Sequence, residues 1–138
     1  MKGVLGRLLG RVTVRHSVQG RLRLHAPFLA HVPGDAPIAE YAAVAAAAIR
    51  GVRSVELSLV TASILIRYDS TMIGEGELLE LVRQIADLAA VHADRFVSLS
   101  PRRRTQVAER LNEHFKTVQI KPGDKVALPD DLWTTRDQ

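Results

Sequence analysis

Apolar and polar positions alternate with a period of two near the start of the chain. Val12-Thr13-Val14-Arg15-His16 is rich in β-branched residues, and Arg21-Leu22-Arg23-Leu24-His25 alternates without a break. A strand period puts Leu22 and Leu24 on one face and Arg21, Arg23 and His25 on the other. The intervening Ser17-Val18-Gln19-Gly20 predicts either a hairpin or one long strand bent at a bulge at Gly20. Two further strands are expected. Residues 52–59 place Val55, Leu57 and Leu59 on one side and Ser54, Glu56 and Ser58 on the other. Residues 63–69 send Ile64, Ile66 and Tyr68 toward the core, after a turn at Val60-Thr61-Ala62. Phe96-Val97-Ser98-Leu99 reads as a short final strand.

Elsewhere the period changes to that of a helix. Residues 37–50 are alanine-rich, with Ile38, Tyr41, Ala42, Ala45, Ala48 and Ile49 in one stripe, Asp35 as a cap and Gly51 as the stop. Residues 77–91 carry a second stripe of Leu78, Leu81, Val82, Ile85, Leu88 and Ala89. The segment 26–37 holds three prolines and a glycine and is a loop. The predicted class is therefore α+β: a ferredoxin-like βαββαβ antiparallel sheet with two helices on one face, plus a C-terminal helical extension. An N-terminal segment (1–11) precedes the domain (12–99), and a tail (100–138) follows it. In the tail, Ser100-Pro101 starts a helix on which Val107, Leu111, Phe115 and Val118 recur at helical spacing. Lys121-Pro122-Gly123-Asp124 reads as a type II turn, 126–128 as a short strand, and Leu132 and Trp133 as anchors.

Composition narrows the chemistry. The chain has 138 residues, enough for one domain with an appendage. Aromatics are only 4% of it, so the core is aliphatic and an aromatic-lined pocket is not expected. There is no cysteine, which excludes disulfides, thiolate metal sites and cysteine nucleophiles. Apolar runs such as 41–49 fall short of the roughly 18 residues of a membrane span. Residues 1–10 are too interrupted by arginine and glycine for a signal peptide, so a cytoplasmic location is expected. Weak membrane-surface contact by Val4, Leu5, Leu8 and Leu9 is a minor alternative. No nucleophile elbow, phosphate loop or zinc-protease motif occurs, and no enzymatic activity is expected.

The residues His16-Ser17-Val18-Gln19-Gly20-Arg21-Leu22-Arg23, then Gly51-Val52-Arg53-Ser54-Val55, then Thr61-Ala62-Ser63-Ile64-Leu65-Ile66 and Arg67-Tyr68-Asp69, carry a resemblance. Residues 12–99 resemble a heavy-metal-associated domain, in its cysteine-free variant found alone or ahead of cation-transporting P-type ATPases. That variant often shows Pro-Gly-Arg where this chain has Gln19-Gly20-Arg21. Metal-chaperone members bind soft cations through Cys-x-x-Cys in the loop after the first strand. The matching segment here, 27–35, has no thiol, so copper(I) chaperoning does not carry over. The resemblance implies an accessory or adaptor domain associated with metal-cation transport or metal handling.

Three groups of residues are candidates for binding. Arg21, Arg23 and Arg67, joined by Arg15, share the sheet face away from the helices, a surface for an acidic partner or else plain solvated sheet. Nucleic acid is not expected there, because no aromatic stands on that face to stack a base. Val107, Leu111 and Phe115 would pack on the open sheet face, on a second chain or on a partner, making self-association or a protein partner the expectation. His16, His25 and His31, with Asp35, are the candidate ligands for a metal or haem, although neither is required. Their spacing matches no local metal motif, and simple alternation sends His16 and His25 to different parities. His92 and His114 read as helix-surface residues. Arg102-Arg103-Arg104, at a helix start where the dipole disfavours cations, reads as a solvated run or an anion contact.

Overall fold

Gly20 lets the first alternating stretch fold back on itself. Its φ of 83° is the left-handed conformation that glycine adopts without steric cost. The result is a hairpin of β1 (Thr13–Val18) and β2 (Arg21–His25), which decides between the two readings of this stretch. The computed structural model describes residues 12–27, 29 and 37–133. Asp35, His31 and the N-terminal Val4, Leu5, Leu8 and Leu9 lie outside them. After the hairpin come α1 (Pro37–Ala47), β3 (Val52–Ser58), β4 (Ser63–Tyr68), α2 (Glu75–Val91), α3 (Ala93–Val97) and α4 (Pro101–Thr117).

The four strands form one antiparallel sheet in the order β1-β2-β4-β3. The α+β class, the antiparallel sheet and the C-terminal helix match the expectation from sequence, but the order of elements is ββαββααα. The stretch 96–99 is not a strand: Phe96 lies in α3, where its N–H donates to the His92 carbonyl at 3.0 Å. The reason is that β1 already pairs with the free edge of β2, where a closing strand would have gone. Phe96 is fully buried instead, edge-on to Trp133 with ring centroids 5.1 Å apart.

One face of the sheet is the floor of the core. Leu22, Leu24, Ile64, Ile66 and Tyr68 are buried there against the stripes of α1 and α2, Tyr41, Ala42, Ala45, Leu78, Leu81 and Ile85 among them. Burying one such aliphatic side chain is worth about 1.5–3 kcal/mol, so the alternation of Leu22 and Leu24 alone fixes which way β2 faces. Leu57 is half-buried beside them. Helix α1 stops at Ala47, three residues earlier than predicted. The Ala48 carbonyl and the Arg50 N–H bond the Ile120 backbone, at 2.9 and 2.8 Å, in place of a further helical turn. Gly51 then takes a φ of 94° where the chain turns into β3. Helix α2 begins with the Gly74 N–H donating to the Glu77 carboxylate at 3.0 Å.

Helix α4 starts as predicted, with Ser100 Oγ accepting from the Arg103 N–H at 3.3 Å and Pro101 in its first turn. Its stripe of Val107, Leu111 and Phe115 is buried in the same cluster as the sheet, so the chain after residue 99 is not set apart from the core. Helix α4 packs on α1, where Phe115 meets Tyr41 at 5.8 Å between ring centroids, and not on the open sheet face. Val118 lies beyond the helix end and is exposed. The turn at 121–124 forms, with Gly123 at φ 90° and the Asp124 N–H bonded to the Lys121 carbonyl. Residues 126–128 are not a strand: the Val126 N–H finds the side chain of Gln84, at 2.8 Å, in place of a ladder partner. Leu132 is buried, and Trp133 is half-buried.

Candidate functional site

The side of the sheet away from the helices stays open, and its register places each residue on it. In one row across the four strands stand Val18, Arg21, Arg67 and Ser54; in the next, His16, Arg23, Leu65 and Glu56; in the third, Thr13, His25, Ser63 and Ser58. Neighbouring strands lie about 4.8 Å apart, so members of a row are in lateral reach. Arg21, Arg23 and Arg67 are exposed on this face, as the alternation predicted. They form no ion pair among the described residues.

His16 is where strand counting misleads. The β1–β2 register slips between Val14 and His16, so the extra residue, Arg15, shifts the parity of everything after it. His16 therefore stands opposite Arg23 and on the same face as His25. A second slip lies between Val52 and Ser54 in β3. Both bulges sit on the two edge strands, where they disrupt pairing with another sheet edge.

The rows enclose two shallow hollows. One, of about 430 Å³, is lined by Arg15, His16, Arg23, His25, Thr61 and Ser63. The other, of about 570 Å³, includes Arg23, Glu56, Ser58, Ser63 and Leu65. Thr61 and Ser63 share a hydroxyl–hydroxyl hydrogen bond of 2.6 Å. Between them Ala62 holds a φ of 51°, a left-handed conformation that costs an ordinary residue roughly 1–2 kcal/mol. Its carbonyl accepts from the Ala26 N–H at 2.7 Å, which ties the β3–β4 turn to the end of β2. Sequence reasoning did not place Thr61 and Ser63 in a site. The signal would have been the pairing of His25 with Ser63, which only the strand register supplies.

The other expected residues fall elsewhere. Val107, Leu111 and Phe115 are 1%, 1% and 5% exposed, so their expected role on a partner surface is corrected: this chain's own α1 side occupies them. His92 and His114 are half-buried, not surface residues. His92 lies 5.8 Å from the Trp133 ring, and burial followed by the Arg95 guanidinium pushes its pKa down. His114 is also lowered, first by burial and then by Arg110, against an opposing pull from Asp131. At the far end of β4, Asp69 accepts from the Thr71 hydroxyl and N–H at 2.6 and 2.9 Å. These bonds, with Arg53 at 3.3 Å, hold its carboxyl below the usual range.

A metal fits the described residues poorly. Among them no three His, Cys, Asp or Glu side chains gather, and His31 lies outside them. The two histidines that do share a hollow share it with Arg15 and Arg23, whose charges repel a cation. The hollow offers two borderline imidazole donors and no thiolate or thioether, the ligands that a soft metal selects.

This cysteine-free α+β domain, with a helix-backed antiparallel sheet and an open basic face, has a family. The chain matches the family model of heavy metal associated domain 2 over residues 3–118, and it belongs to that family. The family ties the chain to metal handling. The match runs past residue 99 to the end of α4, in keeping with the burial of that helix in the common core. No curated protein and no solved structure matches the chain significantly. No helix of the described residues is long and apolar enough to cross a membrane.

Proposed function

We propose that the protein is a non-enzymatic accessory domain of metal-cation transport or handling, working in the cytoplasm by docking its open sheet face on an acidic protein partner. The observation that carries this reading is the pairing of Arg21 with Arg67. They are direct cross-strand partners on the open face, and both are exposed. Like charges in that relation destabilise a sheet, whereas an opposite pair gains roughly 0.2–1 kcal/mol. Arg23 adds a third cation two residues along β2, and Glu56 is the only acid in the three rows. A surface that sets cation against cation with no acid between them suits carboxylates brought by another molecule. The apolar face of α4, the other surface considered for a partner, is spent in the core.

The test is Arg67→Glu in the full chain, with a photo-crosslinking residue in place of Ser54 in the same row. The substitution creates an opposite-charge pair with Arg21, so the thermal midpoint should rise. Cross-linking in the native host to a protein of metal transport or metal handling should fall to background. Undiminished cross-linking to that protein would overturn the reading, and so would cross-links to no discrete protein in the unsubstituted chain.

A further inference from the structure

We infer that the hollow at the His25 end of the open face binds a small tetrahedral oxyanion of the phosphate class, free in solution. Arg15, His16, Arg23, His25, Thr61 and Ser63 line it. Each of these side chains can donate a hydrogen bond, and none is a carboxylate. Register puts His16 opposite Arg23 and His25 opposite Ser63, in adjoining rows, so donors from three strands border one space. Guanidinium groups bind tetrahedral oxyanions in a two-pronged geometry that an ammonium lacks. The hydroxyls add direction. In the Thr61–Ser63 bond one proton is used between the two oxygens, and the other hydroxyl proton remains to point outward.

Two features mark the hollow as more than a stretch of solvated sheet. Ala62, between the two hydroxyl residues, holds a left-handed backbone with no glycine to relieve it, and strain of this kind collects where a surface binds. The acid nearest in register, Glu56, shares the row of Arg23 but stands two strands away with Leu65 between them. The cations of the hollow therefore lack an internal counter-charge among the described residues.

The hollow meets the docking surface proposed above only at Arg23. Arg21 and Arg67 occupy the opposite row and do not line this hollow.

The experiment is an amide NMR titration of the isotope-labelled full chain with sodium phosphate, against sodium chloride at matched ionic strength. Phosphate should give saturable shifts centred on His25, Thr61 and Ser63, and chloride should not. Arg23→Gln should weaken binding roughly tenfold, the size of one lost charge-assisted hydrogen bond, and Ser63→Ala should weaken it by less. Glu56→Gln should tighten it. Arg50→Gln removes the same charge from an exposed residue outside the sheet and should leave the constant near wild type. Shifts that do not saturate, equal shifts with chloride, or equal weakening by Arg23→Gln and Arg50→Gln would overturn the inference. Arg67→Glu should retain phosphate binding while losing the protein partner, so failure of one proposal is readable apart from the other.

Discussion

Tyr41 shows how one polar atom can weigh against the aromatic ring that carries it. The residue is fully buried, and its ring packs on Phe115. Among the described residues its hydroxyl has no hydrogen-bond partner, and burial pushes its ionisation upward. An unsatisfied buried hydroxyl costs about 1–3 kcal/mol, while the ring that carries it contributes more through packing. Tyr41→Phe keeps the ring and removes the orphan, so stability in urea should be unchanged or higher by about 1 kcal/mol. Tyr41→Ala should lose about 3–5 kcal/mol, as aromatic truncations in cores do. A clear loss of stability in the Phe variant would show that the hydroxyl is satisfied in solution. The sequence already put Tyr41 in the apolar stripe of α1. The missing partner was invisible there, because hydrogen bonding depends on what the fold brings near.

At the scale of elements, the periodic signals were readable and their partners were not. The strand faces of β2, β3 and β4, the stripe of α2 and the start of α4 all follow from spacing, which is a local property. Spacing does not say what a stripe packs against. Val107, Leu111 and Phe115 marked an apolar face, but only the fold shows that α1 receives it. The parity error at His16 has the same origin, since a bulge is a relation between two strands. The stretch 96–99 has a strand's composition, yet β1 holds the place that strand would need, so tertiary competition decided it. These relations make α4 part of the cooperative unit. Phe115→Ala should cost the whole fold about 3–5 kcal/mol. Urea unfolding followed by Trp133 fluorescence and by far-ultraviolet circular dichroism should give coincident transitions. An early helical transition, with the remaining structure as stable as in the wild type, would instead mark α4 as a loosely attached appendage.

For the molecule as a whole, the uneven charge was readable from the start. Residues 1–35 carry six Lys or Arg and one acid, and 36–99 carry five and eight. What that asymmetry does to the folded state depends on burial, which composition does not report. His92 follows α2 and His114 lies in the last turn of α4; both are half-buried, each is beside a guanidinium, and both have pKa values below the ordinary 6.5. The native chain therefore holds fewer protons on them than the unfolded chain does once the pH drops below 6.5. Stability rises with pH wherever the unfolded state binds more protons. The neutral imidazoles thus carry no penalty above that value, and stability is lost progressively as the pH falls toward the native pKa values. Asp69, held low, works in the same direction but at the more acidic pH of carboxylates, and Asp87, raised chiefly by burial and then by Glu80, opposes it there. The interval from about pH 7.5 to about pH 5.5 accordingly reports mainly on histidine. The thermal midpoint should decline across it, and the double variant His92→Gln, His114→Gln should flatten the decline while leaving the carboxylate limb in place. An undiminished slope in that variant would mean that other groups carry the acid sensitivity.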